Sequence, residues 1–536
     1  MEITILQCIC IGIWTAVCMT GMLMGTYLTR CLVMAAGVGV ILGDIETGLL
    51  MGAVGELAFL GFGVSSGGSV PPNPAGPGII GAILAITMKG QGMDTEAALA
   101  YSLPFAILIQ FAITGIYTVA TGLVPRAEQA VDQGNYKKFR FFANSTILMF
   151  LAAGFLIGFV AASQNQNLER LIGMIPAWLT EGLGTAGKML PAVGFAVILS
   201  VMLTPDIAGF ALLGYVLAGY FKCSAITISL IAGAAVWLIM VRKKRKLADR
   251  DITEDGKGWG LNGKADSEEM GSEETGSRKT GRVSQKELRR ISRGTALKAY
   301  FLQNGYNYGN YEGLAYANIL YPALKKMCEN EGELRQEVKD SMGYCSVNPN
   351  FLPILTSFHL VSFNNGISAK ETRDIRLALM GPLAGIGDSL VQFCFAPVLS
   401  TIGASMAEKG MAAGPVVFLL GMNGLLLGLK LFNEELGFRL STSLADKMKE
   451  SLIPISRGAR MIGTAIIAGL AVSSVKVKLA PFPYQELFDM VVPGGAAVFL
   501  TGLLFYLIKV RKWNMYRLVG VTLAAGILLK MFGILL

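Results

Sequence analysis

The stretch GELAFLGFGVSSGGSVPPNPAGPG, Gly55–Gly78, sets one carboxylate, three serines and a cluster of helix breakers inside a region that is otherwise almost continuously apolar. Its reading turns on the solvent around it. Over 536 residues the chain is 53% hydrophobic and only 15% charged, with a mean hydropathy of +0.54. Such values suit an integral membrane protein, not a soluble multidomain enzyme. Runs such as ILQCICIGIWTAVCMTGMLMGTYL, STILMFLAAGFLIGFVAAS and SAITISLIAGAAVWLIM are each long enough to span the hydrocarbon core as a helix, which takes about 20 residues. Gly55–Gly78 is then a broken membrane segment. In lipid, backbone groups freed by Gly and Pro must be covered by protein or by a water-filled cavity, so such a break points to a site.

The remaining bulk features fit this frame. The net charge of +9 is concentrated in short loops, VRKKRK (Val241–Lys246) and IKVRKWNMYR (Ile508–Arg517), with no aromatic-interleaved patch. That is the pattern of membrane topology, and it excludes nucleic acid as the expected partner. It predicts that both loops are cytoplasmic and that the C-terminus lies outside the cytoplasm. MEIT is acidic and the first apolar stretch is longer than a signal core, so it reads as the first membrane helix. The eight cysteines lack CxxC spacing, which argues against a metal site and against a disulfide framework. They read as small hydrophobes. No phosphate loop, HExxH or nucleophile triad is present, so no cofactor, metal or catalytic residue is expected.

From Arg242 to Arg293 the composition becomes charged and rich in Gly and Ser (KADSEEMGSEETGSRKTGRVSQKELRR), the signature of a solvated linker. It separates residues 1–241 from residues 294–536. The first part is a dense series of membrane segments. In the second part, 294–376 has apolar positions three and four apart with charges between, as in helices at a surface or headgroup layer, and 377–536 is strongly apolar. The expected fold is all-α and polytopic, with discontinuous or re-entrant segments in two membrane modules.

Two further breaks repeat the device of Gly55–Gly78: GDIETG (Gly43–Gly48) and GPLAGIGD (Gly381–Asp388). A carboxylate at membrane depth needs a partner or a wet cavity, which singles out Glu56 and Asp388. Asp44 and Glu46 read equally well as part of a solvated turn, and Asp388 as the N-cap of a helix beginning SLVQF. Amides and hydroxyls mixed with isolated carboxylates suit a neutral polyhydroxylated ligand. An inorganic ion would favour denser oxygens, and an anion would favour Arg or Lys. A sugar fits best.

The residues MEITILQ, GDIETG, GELAFLGF and VPPNPA resemble the IIC component of the mannose-family sugar phosphotransferase system. AYFLQNGYNYGNYEGLAYA, SVNPNFLPIL and above all LALMGPLAGIGDSL resemble its IID component. The resemblance covers the chain except the linker and implies a fusion in the order IIC then IID. It implies further that a hexose or amino sugar is translocated and phosphorylated by a separate IIB, itself charged by IIA, and that the pairs assemble as a homotrimer in the bacterial cell membrane. Histidine carries the labile phosphate in that relay, and this chain has a single one, His359 in SFHLVSF. With no acidic neighbour in sequence it reads as a packed residue, so the phosphorylating domains are expected elsewhere and this chain is not an enzyme on its own.

Carried over by position, the resemblance assigns Glu56 to sugar hydroxyls, Gln7 to a glutamine of the family's opening segment, and Asn73 to a place where many members have aspartate. Tyr308, Asn310 and Glu312 fall in the stretch that reads like QASWNYERMQ in many members, and Asn348 falls where His or Gln is common. Asp388 lies in the IID motif, and Tyr311 offers a flat face on which a pyranose can stack. These departures gather where sugar is expected, which favours an amino or N-acetylated sugar over mannose or glucose. A proton-coupled sugar transporter, with Glu56 or Asp388 as proton carrier, is the rival reading.

Overall fold

The computed structural model describes residues 2–60, 71–167, 176–255, 282–367, 369–440, 445–475, 491–513 and 515–535, together with 170, 477 and 489. The gap between 255 and 282 falls within the expected linker. The described residues form helices and turns, with two isolated β-bridges and no strand. The protein is a multi-pass membrane protein: six described helical stretches are long and apolar enough to cross a bilayer, Ile5–Met24, Thr95–Asp132, Tyr136–Ser163, Glu181–Ser200, Thr372–Glu408 and Ala413–Arg439.

Helix α1 (Ile5–Met24) starts in a capping box between Thr4 and Gln7 and ends at Gly25, whose φ of +60° closes the left-handed cap. Helices α2 (Cys31–Leu42) and α3 (Ile45–Phe59) form a tight pair turned by Gly43 (φ +81°) and capped by Asp44, which accepts the Thr47 N–H at 3.0 Å. At 1.5 Å per residue they rise about 18 and 22 Å, too short for a core of about 30 Å. After residues 61–70 the chain resumes in a buried π turn, Gly76–Gly81, which continues into the six-residue α4 (Ala82–Thr87). These are the discontinuous segments the breakers predict. Asp44 also pairs with Lys89 at 2.9 Å, so the GDIETG break is a capped turn.

The first half continues with α5 (Thr95–Thr121), α6 (Val124–Asp132), α7 (Tyr136–Ser163), α8 (Ala177–Met202), α9 (Ala208–Gly219) and α10 (Ala225–Asp255). The second half opens with α11 (Gln285–Leu297), α12 (Gly313–Met327), α13 (Glu331–Ser341) and the almost entirely buried α14 (Leu352–Asn364), followed by α15 (Ala369–Leu390), a π turn at Val391–Phe395 and α16 (Ala396–Glu408). Helices α17 (Ala413–Leu440), α18 (Ala445–Ser473), α19 (Gly495–Lys509) and α20 (Met515–Met531) complete it. Of the apolar runs read as spans, SAITISLIAGAAVWLIM falls in α10 as a shorter apolar helix, Thr227–Arg242, and α19 is likewise short.

The two halves share their cores. The largest apolar cluster joins Met34, Ile83 and Phe195 to Ala465, Ile466 and Leu518. A second packs Phe139 and Val131 of the first half among Leu302, Tyr316, Phe351 and Leu383 of the second. Helix α8 lies against α19 and α20, and α9 against α18. The α9–α18 contact is close: a Cβ built on Gly214 would stand 1.9 Å from the Ala465 carbonyl oxygen.

Candidate ligand site

Glu56 lies on the last turn of α3 and is 1% exposed. Its Oε1 receives Arg30 Nε at 2.7 Å and a terminal guanidinium nitrogen at 2.5 Å, and the Ser400 hydroxyl of α16 donates to it at 2.5 Å. Arg30 also reaches Ser400 at 3.3 Å. A lone buried carboxylate would be costly, and Arg30 at the start of α2 supplies the partner charge that Glu56 needs inside the protein. Ser400 makes the pair a junction between the halves.

Asn73 stands where the chain returns after residues 61–70. It is 2% exposed, accepts the Ala75 N–H at 2.9 Å and donates to Gln110 of α5 at 3.4 Å. The neighbouring Pro74 carbonyl takes the Cys31 thiol at 3.4 Å. Cys31 follows Arg30 in the chain, so this break adjoins the Arg30–Glu56 pair.

In the second half the polar set is built from turns. Asn307 shapes the first by accepting the N–H groups of Gly309 (2.8 Å) and Asn310 (3.1 Å) and donating to Asn310 Oδ1 at 2.8 Å. This turn holds Tyr311 at φ +56°. Asn310 donates to the Met342 carbonyl at 2.7 Å. Glu312 is buried, accepts the Val347 N–H at 3.0 Å, and its carboxyl is pushed up to about 8 by burial, against the pull of that N–H. Asn348 donates to Asp388 at 2.9 Å and accepts from Asn350. Asn350 in turn takes the Lys430 ammonium, which lies 3.9 Å over the Tyr300 ring, and its carbonyl takes Asn433 at 2.7 Å.

Two tyrosines of the first half lie near these groups. Tyr27 lies within electrostatic reach of Arg30 and Asp388 and packs edge-on against Phe418 at 6.4 Å. Tyr117 lies within electrostatic reach of Glu312 and packs its ring 4.7 Å from Tyr306 and 6.1 Å from Tyr308. The structure thus brings Glu56 and Asn73 into one neighbourhood, and Asn310, Glu312, Asn348 and Asp388 into another, with Tyr27 close to Arg30 of the first and Asp388 of the second. Tyr308 has an exposed ring and gives its backbone N–H to Thr121 at 3.1 Å. The Tyr311 ring is engaged edge-on by Tyr306 and Tyr344.

Gln7 does not join them. Its amide closes the α1 capping box and donates to the Ile41 carbonyl at 3.2 Å, at the end of α2 opposite Arg30 and Glu56, about 16 Å away along the helix. Asp388 is not an N-cap: α15 runs through Ser389 to Leu390, and the irregularity falls in the π turn that follows. His359 is buried, with Nδ1 3.3 Å from the Tyr316 hydroxyl and Nε2 4.0 Å from Glu337. Burial, and then the Arg376 charge, hold its pKa down to about 3, which fits a packed neutral imidazole.

Arg30, Ser400, Tyr27 and Lys430 were not singled out from sequence. For Arg30 a signal existed: it is the sole Lys or Arg before Lys89. Ser400 and Tyr27 carry no such mark, since their roles arise from contacts across the fold. Chemically, the site offers an ion pair, amides and phenols with one exposed carboxylate, Asp388. That array suits hydroxyl groups arranged around an apolar ring.

Comparison with known proteins gives a consistent result. Residues 5–238 match the family model described as PTS system sorbose-specific IIC component, and residues 283–535 match that of the PTS system mannose/fructose/sorbose family IID component. The N-acetylgalactosamine permease IIC component 1 of Escherichia coli (strain K12) is 32% identical over 225 residues, covering 41% of this chain and 83% of the relative. The sorbose-specific EIID component of Lacticaseibacillus casei is 27% identical over 270 residues, covering 46% of this chain and 95% of the relative. A solved structure titled "Structure of membrane protein" is 25% identical, with a TM-score of 0.41, and covers 45% of this chain and 97% of its own.

Proposed function

We propose that this chain, which belongs to the mannose-type permeases of the sugar phosphotransferase system and carries their IIC and IID components fused in one polypeptide, binds a hexose or amino sugar and translocates it for phosphorylation by a separate IIB. Glu56 and Asn73 contact the sugar from the IIC part. Asn310, Glu312, Asn348 and Asp388 contact it from the IID part, with Tyr308 at the rim. Gln7 takes a positioning role through the α1 cap. IIA and IIB supply the phosphate, the linker and basic loops face the cytoplasm, the C-terminus faces outward, and three chains form the working unit.

One observation carries the reading: a carboxylate in an apolar broken segment is buried, charge-paired and hydrogen-bonded by a serine of the other half. Such an array is retained at a cost where it serves a ligand. The amide-rich IID set, together with a relative named for N-acetylgalactosamine, supports an N-acetylated amino sugar as cargo. In vesicles supplied with phosphoenolpyruvate, the general phosphotransferase proteins, IIA and IIB, N-acetylgalactosamine phosphate should accumulate only when this chain is present. Uptake that ignores phosphoenolpyruvate and stops when the proton gradient is collapsed would establish the secondary-transporter rival instead.

A further inference from the structure

Sugar handling leaves unused a cavity of about 540 Å³ against the first turns of α7. Its rim carries Tyr136, Lys137 and Arg140, and its lower wall carries Phe141, Ile147 and Leu148. The helix is capped by Asn135 and becomes an apolar membrane span beyond its basic first turns. From Arg140 to Leu148 the rise is about 12 Å, which crosses from a polar interface into hydrocarbon. Phe141 and Leu148 are 58% and 53% exposed, as expected of side chains that face lipid.

More positive charge gathers at the rim from the second half. The segment Lys298–Gly305 packs on α7, and the Lys298 ammonium is held below the ordinary lysine range by burial and then by its neighbours Arg140 and Lys326. Lys298 and Lys326 line an adjoining cavity of about 490 Å³. Among the described residues, Lys137, Arg140, Lys298 and Lys326 form no ion pair. Two carboxylates stand nearby: Glu331 accepts the Tyr136 hydroxyl at 3.1 Å, and Glu287 lines the adjoining cavity with Lys286 and Arg290, so the basic groups outnumber them.

We propose that this cavity is a binding site for an anionic phospholipid, its phosphate held by Lys137 and Arg140 with Lys298 and Lys326 beside them, and an acyl chain laid along Phe141, Ile147 and Leu148. Basic pockets between membrane helices recognise such headgroups by charge. A free phosphate would make no use of the apolar lower wall. A docked soluble protein would not reach down a membrane span.

The test is native mass spectrometry of the purified full-length chain, titrated with phosphatidylglycerol, phosphatidylcholine or glycerol phosphate. Wild type should retain phosphatidylglycerol roughly tenfold better than phosphatidylcholine, with no competition from equimolar glycerol phosphate. The double variant Lys137→Ala, Arg140→Ala should bring the two lipids to parity. Arg140→Lys, which keeps the charge, should preserve the preference, and this separates lost recognition from lost folding. Equal retention of both lipids by wild type, competition by glycerol phosphate, or an unchanged preference in the double variant would overturn the assignment. So would a double variant that keeps its lipid and loses IIB binding, since the patch would then be a protein-docking face.

Discussion

Glu56 and Arg30 are best understood as one unit. Removing the carboxylate leaves a buried guanidinium without its partner, and breaking such a pair costs about 3–5 kcal/mol. Glu56→Ala should therefore abolish phosphotransfer-dependent uptake and also lower the thermal midpoint. Glu56→Gln, which keeps a hydrogen-bond acceptor of the same shape, should lose uptake with a smaller stability change. In the double variant Arg30→Ala, Glu56→Ala the thermal midpoint should recover part of the loss while uptake stays absent; recovery of uptake would remove the pair from the site. A separate residue-scale effect concerns Glu337, whose carboxyl is pushed up to about 7 by burial first and then by Asp340 and Glu333, against Arg282. The folded state then holds a proton that the unfolded chain releases at ordinary carboxylate pH, so this group's stabilisation is complete below pH 4.5 and is lost as pH rises from there through about 7. Glu337→Gln should flatten the fall in thermal midpoint over that window, and an unchanged slope would assign it to other groups. Glu56 and Asn73 were legible because charge and amide stand out against apolar sequence. Their partners were not, since Arg30 lies 26 positions from Glu56 and Ser400 lies 344.

At the scale of elements, the lengths of apolar runs and the placement of Pro and Gly foretold full spans such as α1 and α7 and the half-length segments around α2, α3 and α4. Sequence could not tell where a helix absorbs an irregularity. GPLAGIGD reads as a break, yet α15 continues through Pro382 and the three glycines, because ending it there would leave backbone groups unpaired. The helix shifts instead into the π turn at Val391–Phe395. Helix contacts in lipid depend on small residues, and α9 allows a paired test of this. On Gly214 a Cβ would press to 1.9 Å from the Ala465 carbonyl oxygen, whereas Gly209 on the same helix has nothing within 4 Å. Gly214→Ala should destabilise by about 1–3 kcal/mol through overpacking, and Gly209→Ala should be neutral or stabilising by up to about 1 kcal/mol. Detergent thermal melts of the two variants decide it: equal shifts would mean that α9 does not pack as closely on α18 as the geometry states.

For the molecule as a whole, composition marked the charged linker and the two membrane halves, but it carried no sign of how the halves pack together. The apolar clusters run across both. Phe139 is fully buried in a cluster whose other members come mostly from the second half, and Ala465 and Ile466 are fully buried in the cluster that holds Met34 and Phe195. A sequence cannot display this, because the contacts that mix the halves join positions hundreds of residues apart. The covalent connection then adds mainly effective concentration and fixed stoichiometry, while packing supplies the association. A chain severed between residues 256 and 281, produced as two co-expressed pieces, should still assemble: a tag on residues 1–255 should recover residues 282–536 in equal amount, with uptake within about twofold of the intact protein. Expressed alone, the second piece should aggregate, because α18, α19 and α20 would lose the faces that α8, α9 and α10 cover. Each piece purifying alone as a monodisperse species, with no exchange on mixing, would show that the common cores are not what holds the halves together.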